Sequence, residues 1–259
     1  MKRYAVLALF VVLALSLGMD GAAAEKRLNI LFCLADDWSW PHASAYGARE
    51  VATPNFDRVA AEGALFNQVF TMAPQCSPNR AATLTSRRIW QLEEAGTHGS
   101  IFPNTYPVFP QVLEEAGYHV GFTGKGWGPG DWEKGGWKQN PAGKEYNTLR
   151  YRGKDRPKGA DSSDYAGNFE AFLAEREAGE PFCFWYGGKE PHQTYEVGSG
   201  IESGKDPNNI EVPAFLPDVP EVRSDLLDYR LEVEWFDKHL GLMLAHLEEI
   251  GELDNTLII

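Results

Sequence analysis

Apolar residues fall along this chain in two alternating patterns. Leu28, Ile30, Leu31, Phe32, Cys33 and Leu34 form a nearly unbroken run that ends at Ala35-Asp36-Asp37. Such a run predicts a strand buried on both faces, as in a parallel sheet. Residues 118–123, 181–186 and 256–259 repeat the pattern, and 65–70 predicts a further short strand. Between these runs the spacing is helical. Thr53-Pro54 opens a helix that Gly63 closes, and Ser77-Pro78 opens another, directly after Cys76, that runs through Leu84. Residues 108–116 and 165–178 predict helices stopped by Gly117 and Gly179. In the longest stripe Leu226, Tyr229, Val233, Phe236, Leu240, Met243, Leu247 and Ile250 recur at steps of three and four, which predicts a core-packed helix capped by Gly251. Residues 124–159, rich in Gly, Lys, Trp and Pro, and residues 187–220 are predicted loops. Strands alternating with helices predict the α/β class, with a mostly parallel central sheet sandwiched by helices. Because the last strand breaks off at Ile259, the pattern reads as the N-terminal part of a C-terminally truncated domain.

The first residues read as an address rather than a fold. Lys2 and Arg3 precede an apolar stretch at 5–17 and the small residues Ala22-Ala23-Ala24, the layout of a signal peptide cleaved after Ala24. The other reading is an uncleaved anchor, against which the stretch falls short of the roughly 20 residues a span needs. Cleavage would leave residues 25–259 in the periplasm or outside the cell, without a membrane span. The whole chain carries 24 Lys and Arg against 37 Asp and Glu, a net charge of −13, which argues against nucleic-acid binding. Three cysteines, Cys33, Cys76 and Cys183, are too few for a disulfide scaffold.

Candidate chemistry gathers at strand ends. Asp36 and Asp37 follow the first strand, where open α/β sheets place their ligands. Two adjacent carboxylates either hold a hard cation such as Ca2+, or less readily Mg2+, or are a cap beside a solvated acid. Cys76 stands at a helix N-terminus with Arg80 one turn on, a nucleophile at the mouth of an anion pocket. A buried structural thiol is the alternative, and Cys33 and Cys183, inside apolar strands, fit it. Lys125 and His192 sit in predicted loops, where each taken alone is an ordinary solvated side chain. Trp127, Trp132 and Trp137 either stack on sugar rings or pack on one another.

Cys76-Ser77-Pro78-Asn79-Arg80 resembles the Cys-x-Pro-x-Arg signature of the type I sulfatases, members of the alkaline phosphatase superfamily whose cysteine is oxidised to formylglycine. The opening strand with Asp36-Asp37, the helix from Thr53-Pro54 to Gly63, Gly124-Lys125-Gly126, Pro191-His192 and Asp254-Asn255-Thr256 follow in that family's order, so the resemblance spans residues 28–259. Gly124 to Gly130 and the acidic long helix are most similar to the heparan N-sulfatase branch. The resemblance implies a sulfatase acting on sulfate esters or sulfamates of a sulfated carbohydrate, after conversion of Cys76 by a formylglycine-generating maturation enzyme. It implies Asp36, Asp37 and the modified Cys76 as Ca2+ ligands. It further implies a hydrated aldehyde at position 76 attacking sulfur, Arg80 orienting that nucleophile, and Lys125 and His192 meeting the sulfate, with His192 able to protonate the leaving group.

Two departures qualify this. Trp127 occupies the place where the family commonly has a histidine, and His98 is the candidate substitute for substrate contact. The family's remaining metal ligands would follow Ile259. Ser86, where the family usually has Gly, is a smaller departure. The competing readings are a phosphomonoester or phosphonate hydrolase of the same superfamily, and an inactive homologue that binds sulfated glycans.

Overall fold

The computed structural model describes residues 26–259; the N-terminal segment read above as a signal peptide lies outside the described residues. Five parallel strands form one sheet in the order β3-β2-β4-β1-β5: β1 (Asn29–Cys33), β2 (His119–Gly124), β3 (Lys144–Glu145), β4 (Phe182–Gly187) and β5 (Thr256–Ile258). The α/β expectation holds. Central β4 pairs with β1 and β2, aligning Phe32 and Phe122 with Trp185. Although β4 is apolar throughout, its side chains alternate between two cores. Phe182, Phe184 and Tyr186 join Leu31 on one face, and Trp185 joins Phe122 on the other.

Helices cover both faces. On the first, α4 (Tyr165–Ala174) contributes Phe169 and Phe172, and the long α6 (Pro220–Glu249) contributes Phe236, Leu240, Met243 and Leu247. On the second lies α2 (Cys76–Thr85), with Ala81, Ala82 and Leu84 against Trp127 and Trp185. The remaining helices are α1 (Pro54–Glu62), α3 (Phe109–Glu115) and α5 (Ser199–Glu202). No described helix is long and apolar enough to cross a membrane.

Several expectations need correction. Residues 65–70 form no strand: Phe66, Val69 and Phe70 are exposed and pair with no other strand among the described residues. The helix expected over 165–178 stops at Ala174. The predicted loops contain β3 and α5, both too short to show a period. Along α6 the predicted stripe covers only part of the buried face. Leu226 and Tyr229 are half-buried and Ile250 is exposed, whereas Leu227, Trp235 and Leu244 are buried as well. The helix packs on α1, α4 and α5 as well as on the sheet, which widens what a single stripe would bury.

Candidate active site

Parallel strands deliver their following loops to one edge of the sheet, and the candidate residues arrive there from three of them. Leu34 N–H bonds Tyr186 O at 2.8 Å and Asp36 N–H bonds Glu190 O at 3.2 Å, tying the end of β1 to the end of β4. Lys125 N–H bonds Gly187 O at 2.7 Å, tying in the end of β2. Asp37 turns with a left-handed φ of 70°, so the two adjacent acids diverge. Cys76 is the first residue of α2 rather than lying just before it; Gln75, in extended conformation, is the cap residue. The Ser77 hydroxyl does not cap the helix but donates to Pro129 O at 2.6 Å.

Asp36 is the hub. Its Oδ1 accepts from Arg80 Nη2 at 3.2 Å, its Oδ2 accepts from Lys125 Nζ at 2.5 Å, and Cys76 Sγ lies 3.9 Å from the same Oδ2. Burial alone would raise the Asp36 carboxyl, but Arg80 and then Lys125 outweigh it and hold it below its ordinary range. Arg80 is 1% exposed. Its other guanidinium nitrogen donates to Lys125 O at 2.6 Å and Gly126 O at 3.0 Å, and the group lies over Trp185, so its position is fixed on every side. His192 lies 3.7 Å through Nε2 from Asp37 Oδ2, and its Nδ1 is 2.5 Å from Gln193 O. A carbonyl can only accept, so Nδ1 carries the hydrogen and Nε2 is left facing Asp37.

Asp36, Lys125 and His192 open onto a cavity of roughly 290 Å3, walled further by Asp161, Lys189, Glu190 and Glu232. None of these last four stood out in the sequence. The one signal available was the spacing of Asp228, Glu232 and His239 on a second buried face of α6. His98 is not brought into this cavity. It is exposed, with Nδ1 3.4 Å from Ser77 Oγ, one residue removed from the nucleophile position. Trp127 does not face it either. Its ring is buried 5.1 Å from Phe102, its Nε1 donates to Ser77 O at 3.1 Å, and Trp137 packs on the same Phe102 at 5.6 Å. Trp127 and Trp137 therefore pack, and Trp127 ties its loop to the first turn of α2.

The donor set at this edge suits a cation in kind. A carboxylate oxygen of Asp36, Cys76 Sγ and a ring nitrogen of His192 lie within 4.8 Å of one another, with the exposed Asp37 carboxylate alongside. Two carboxylates are the hard donors that Ca2+ takes, so the residues fit in kind, although Ca2+ takes about 6–8 oxygens. Charge supports the fit: Asp36 and Asp37 balance Arg80 and Lys125, and a divalent cation would turn that neutral set into one that attracts an anion.

This arrangement, an all-parallel sheet with acids, a cysteine, Arg, Lys and His converging beyond its strand ends, is that of the alkaline phosphatase-like α/β fold. Over residues 28–259 the chain matches the family described as Sulfatase, and it belongs to the sulfatase family. It is 27% identical over 265 residues to the N-sulphoglucosamine sulphohydrolase of Homo sapiens, covering 92% of this chain and 51% of that protein. It is 31% identical over 179 residues to an N-acetylglucosamine-6-O-sulfatase of Bacteroides thetaiotaomicron, covering 66% of this chain and 32% of that one. A solved structure of a protein in complex with its substrate D-glucosamine-2-N,6-O-disulfate superposes with a TM-score of 0.69 at 21% identity, over 90% of this chain and 64% of that chain. The chain thus spans about half the length of the human relative and less of the bacterial one.

Proposed function

We propose that the enzyme carrying this domain hydrolyses sulfate esters or sulfamates of glucosamine-type sugars, using formylglycine formed from Cys76 and a Ca2+ held by Asp36 and Asp37. The convergence of Cys76, Arg80, Lys125 and His192 around Asp36 carries this reading. Two relatives named for sulfated glucosamine favour this substrate class, and others named for N-acetylgalactosamine-6-sulfate extend it to sulfated amino sugars generally. The signal-type pattern of the N-terminus supports a location outside the cytoplasm.

The modified residue would supply an oxygen nucleophile, and the cation positive charge beside it. The chain's own residues do the rest. Arg80, locked by backbone carbonyls, keeps Asp36 ionised and places a fixed positive charge beside position 76. Lys125, a fifth exposed and facing the cavity, can exchange Asp36 for an incoming sulfate oxygen. His192 holds its Nδ1 hydrogen on Gln193 O, leaving Nε2 to carry the proton for the departing oxygen or nitrogen. The test is peptide mass spectrometry across Cys76 after expression beside a maturation enzyme, followed by assay against sulfated and phosphorylated aryl esters. An aldehyde at position 76 with sulfate release is expected. An unmodified thiol in cells that convert a control sulfatase, or preference for the phosphate ester, would overturn the reading.

A further inference from the structure

The cavity wall contains a buried acid that the proposed chemistry does not use. Glu232 on α6 is 3% exposed, lines the cavity shared by Asp36, Lys125 and His192, and its buried Oε1 has no hydrogen-bond partner. Its buried neighbours behave differently. Asp228 accepts from Gly198 N–H, Gly200 N–H and the Ser199 hydroxyl, and so anchors α5. Asp237 accepts from Asn55 N–H and Phe56 N–H at the start of α1. Glu190 accepts from Asp161 N–H and the Tyr165 hydroxyl. Those acids hold the fold together. Buried polar atoms in native proteins are nearly always paired, and one left unpaired on a ligand cavity points to a partner that arrives from outside.

We infer that Glu232 receives an O–H or N–H donor of the sugar that leaves the sulfate, and so selects among sulfated substrates. This rests on the proposed function above. Burial, reinforced by Glu190 and Asp228, lifts the carboxyl to about 8, so at neutral pH it is largely uncharged and can donate as well as accept. That suits a sugar hydroxyl, which does both. Lys189, paired with Asp161 at 2.8 Å on the same wall, leaves Glu232 without a competing cation. An analogue lacking the donor would leave the acid unpaired in the complex, the arrangement that discriminates most strongly.

The test compares the matured enzyme with Glu232→Gln, which keeps donor and acceptor, and Glu232→Ala, which keeps neither. The probes are 4-nitrophenyl sulfate, whose aryl leaving group has no such donor, and D-glucosamine-2-N,6-O-disulfate. The ratio of kcat/KM for the sugar to that for the aryl ester is expected to fall about tenfold or more in Glu232→Ala, mainly through KM, with most of the loss restored in Glu232→Gln. A ratio unchanged in Glu232→Ala, or a loss that Gln does not relieve, overturns the assignment. Wild-type enzyme inert on both probes strikes the sulfatase reading itself. Where the sugar is not turned over, its calorimetric Kd replaces KM: weaker binding to Glu232→Ala with recovery in Gln supports the site, and equal or absent binding overturns it.

Discussion

Removing the Asp36 carboxylate would leave Arg80, 1% exposed, without its ionic partner. A buried charge stripped of its pair costs about 3–5 kcal/mol, whereas replacing both members by apolar groups is close to neutral. Asp36→Ala should therefore lower the urea-unfolding free energy by about that amount, and Asp36→Ala/Arg80→Met should recover most of it. A loss below about 1 kcal/mol in the single variant would show that Lys125 and solvent neutralise Arg80 unaided. At this scale the sequence made the convergence of Asp36, Asp37, Cys76 and Arg80 legible, because each stands in a short motif at a strand end or helix start. It was silent on Glu232, whose burial depends on chain segments distant in sequence. It left Trp127 open and misdirected at His98, since only packing shows that the indole faces Phe102 and that the imidazole stops at Ser77.

Helix α2 ends at Ser86, which closes it with a left-handed φ of 54°. A side chain in that region carries a strain of about 1 kcal/mol that glycine avoids. Ser86→Gly is expected to stabilise the domain by somewhat less than this, because glycine also gains freedom on unfolding, and to raise Tm by roughly 1–3 °C. A fall in Tm measured by calorimetry would mean that the Ser86 side chain makes a compensating contact. The main strands and helices were readable because continuous apolar runs and 3.6-residue spacing are local signals. Residues 65–70 failed by the same logic: β-branched and aromatic content predicts a strand, but a strand forms only by pairing, and 65–70 pair with no strand among the described residues. Boundaries moved by a few residues wherever loop contacts, rather than caps, decide them, as at Ala174.

Across the molecule, three buried groups set how stability responds to pH. Burial, then Arg230, takes His42 to about 4, and burial, then Lys238, takes His239 to about 3. Unfolded histidines take up protons near 6.5 that these two refuse in the fold, so their contribution is complete above that value and is lost as pH falls toward 4 and 3. Glu232 works in reverse. Raised from 4.5 to about 8, it contributes below 4.5 and loses that contribution as pH rises through 8. Tm should therefore peak at about pH 6–7 and fall on both sides, with a shallower acid limb in His239→Asn, which can keep an acceptor for Ala166 N–H. A Tm that is flat from about pH 5 to 8 would refute this assignment. The fold as a whole was foreseeable from the order of its elements; the cavity was not, because it is assembled from five separated segments. The cysteines follow the same division between sheet and site. Burial pushes Cys33 up and Cys183 up to about 12, while Cys76 stands half-exposed among the active-site residues. With burial raising the other two thiols, Cys76 is the cysteine a thiol-selective dye should meet first, so under the proposed function such a dye would count the molecules still awaiting conversion and a carbonyl-selective one those already armed.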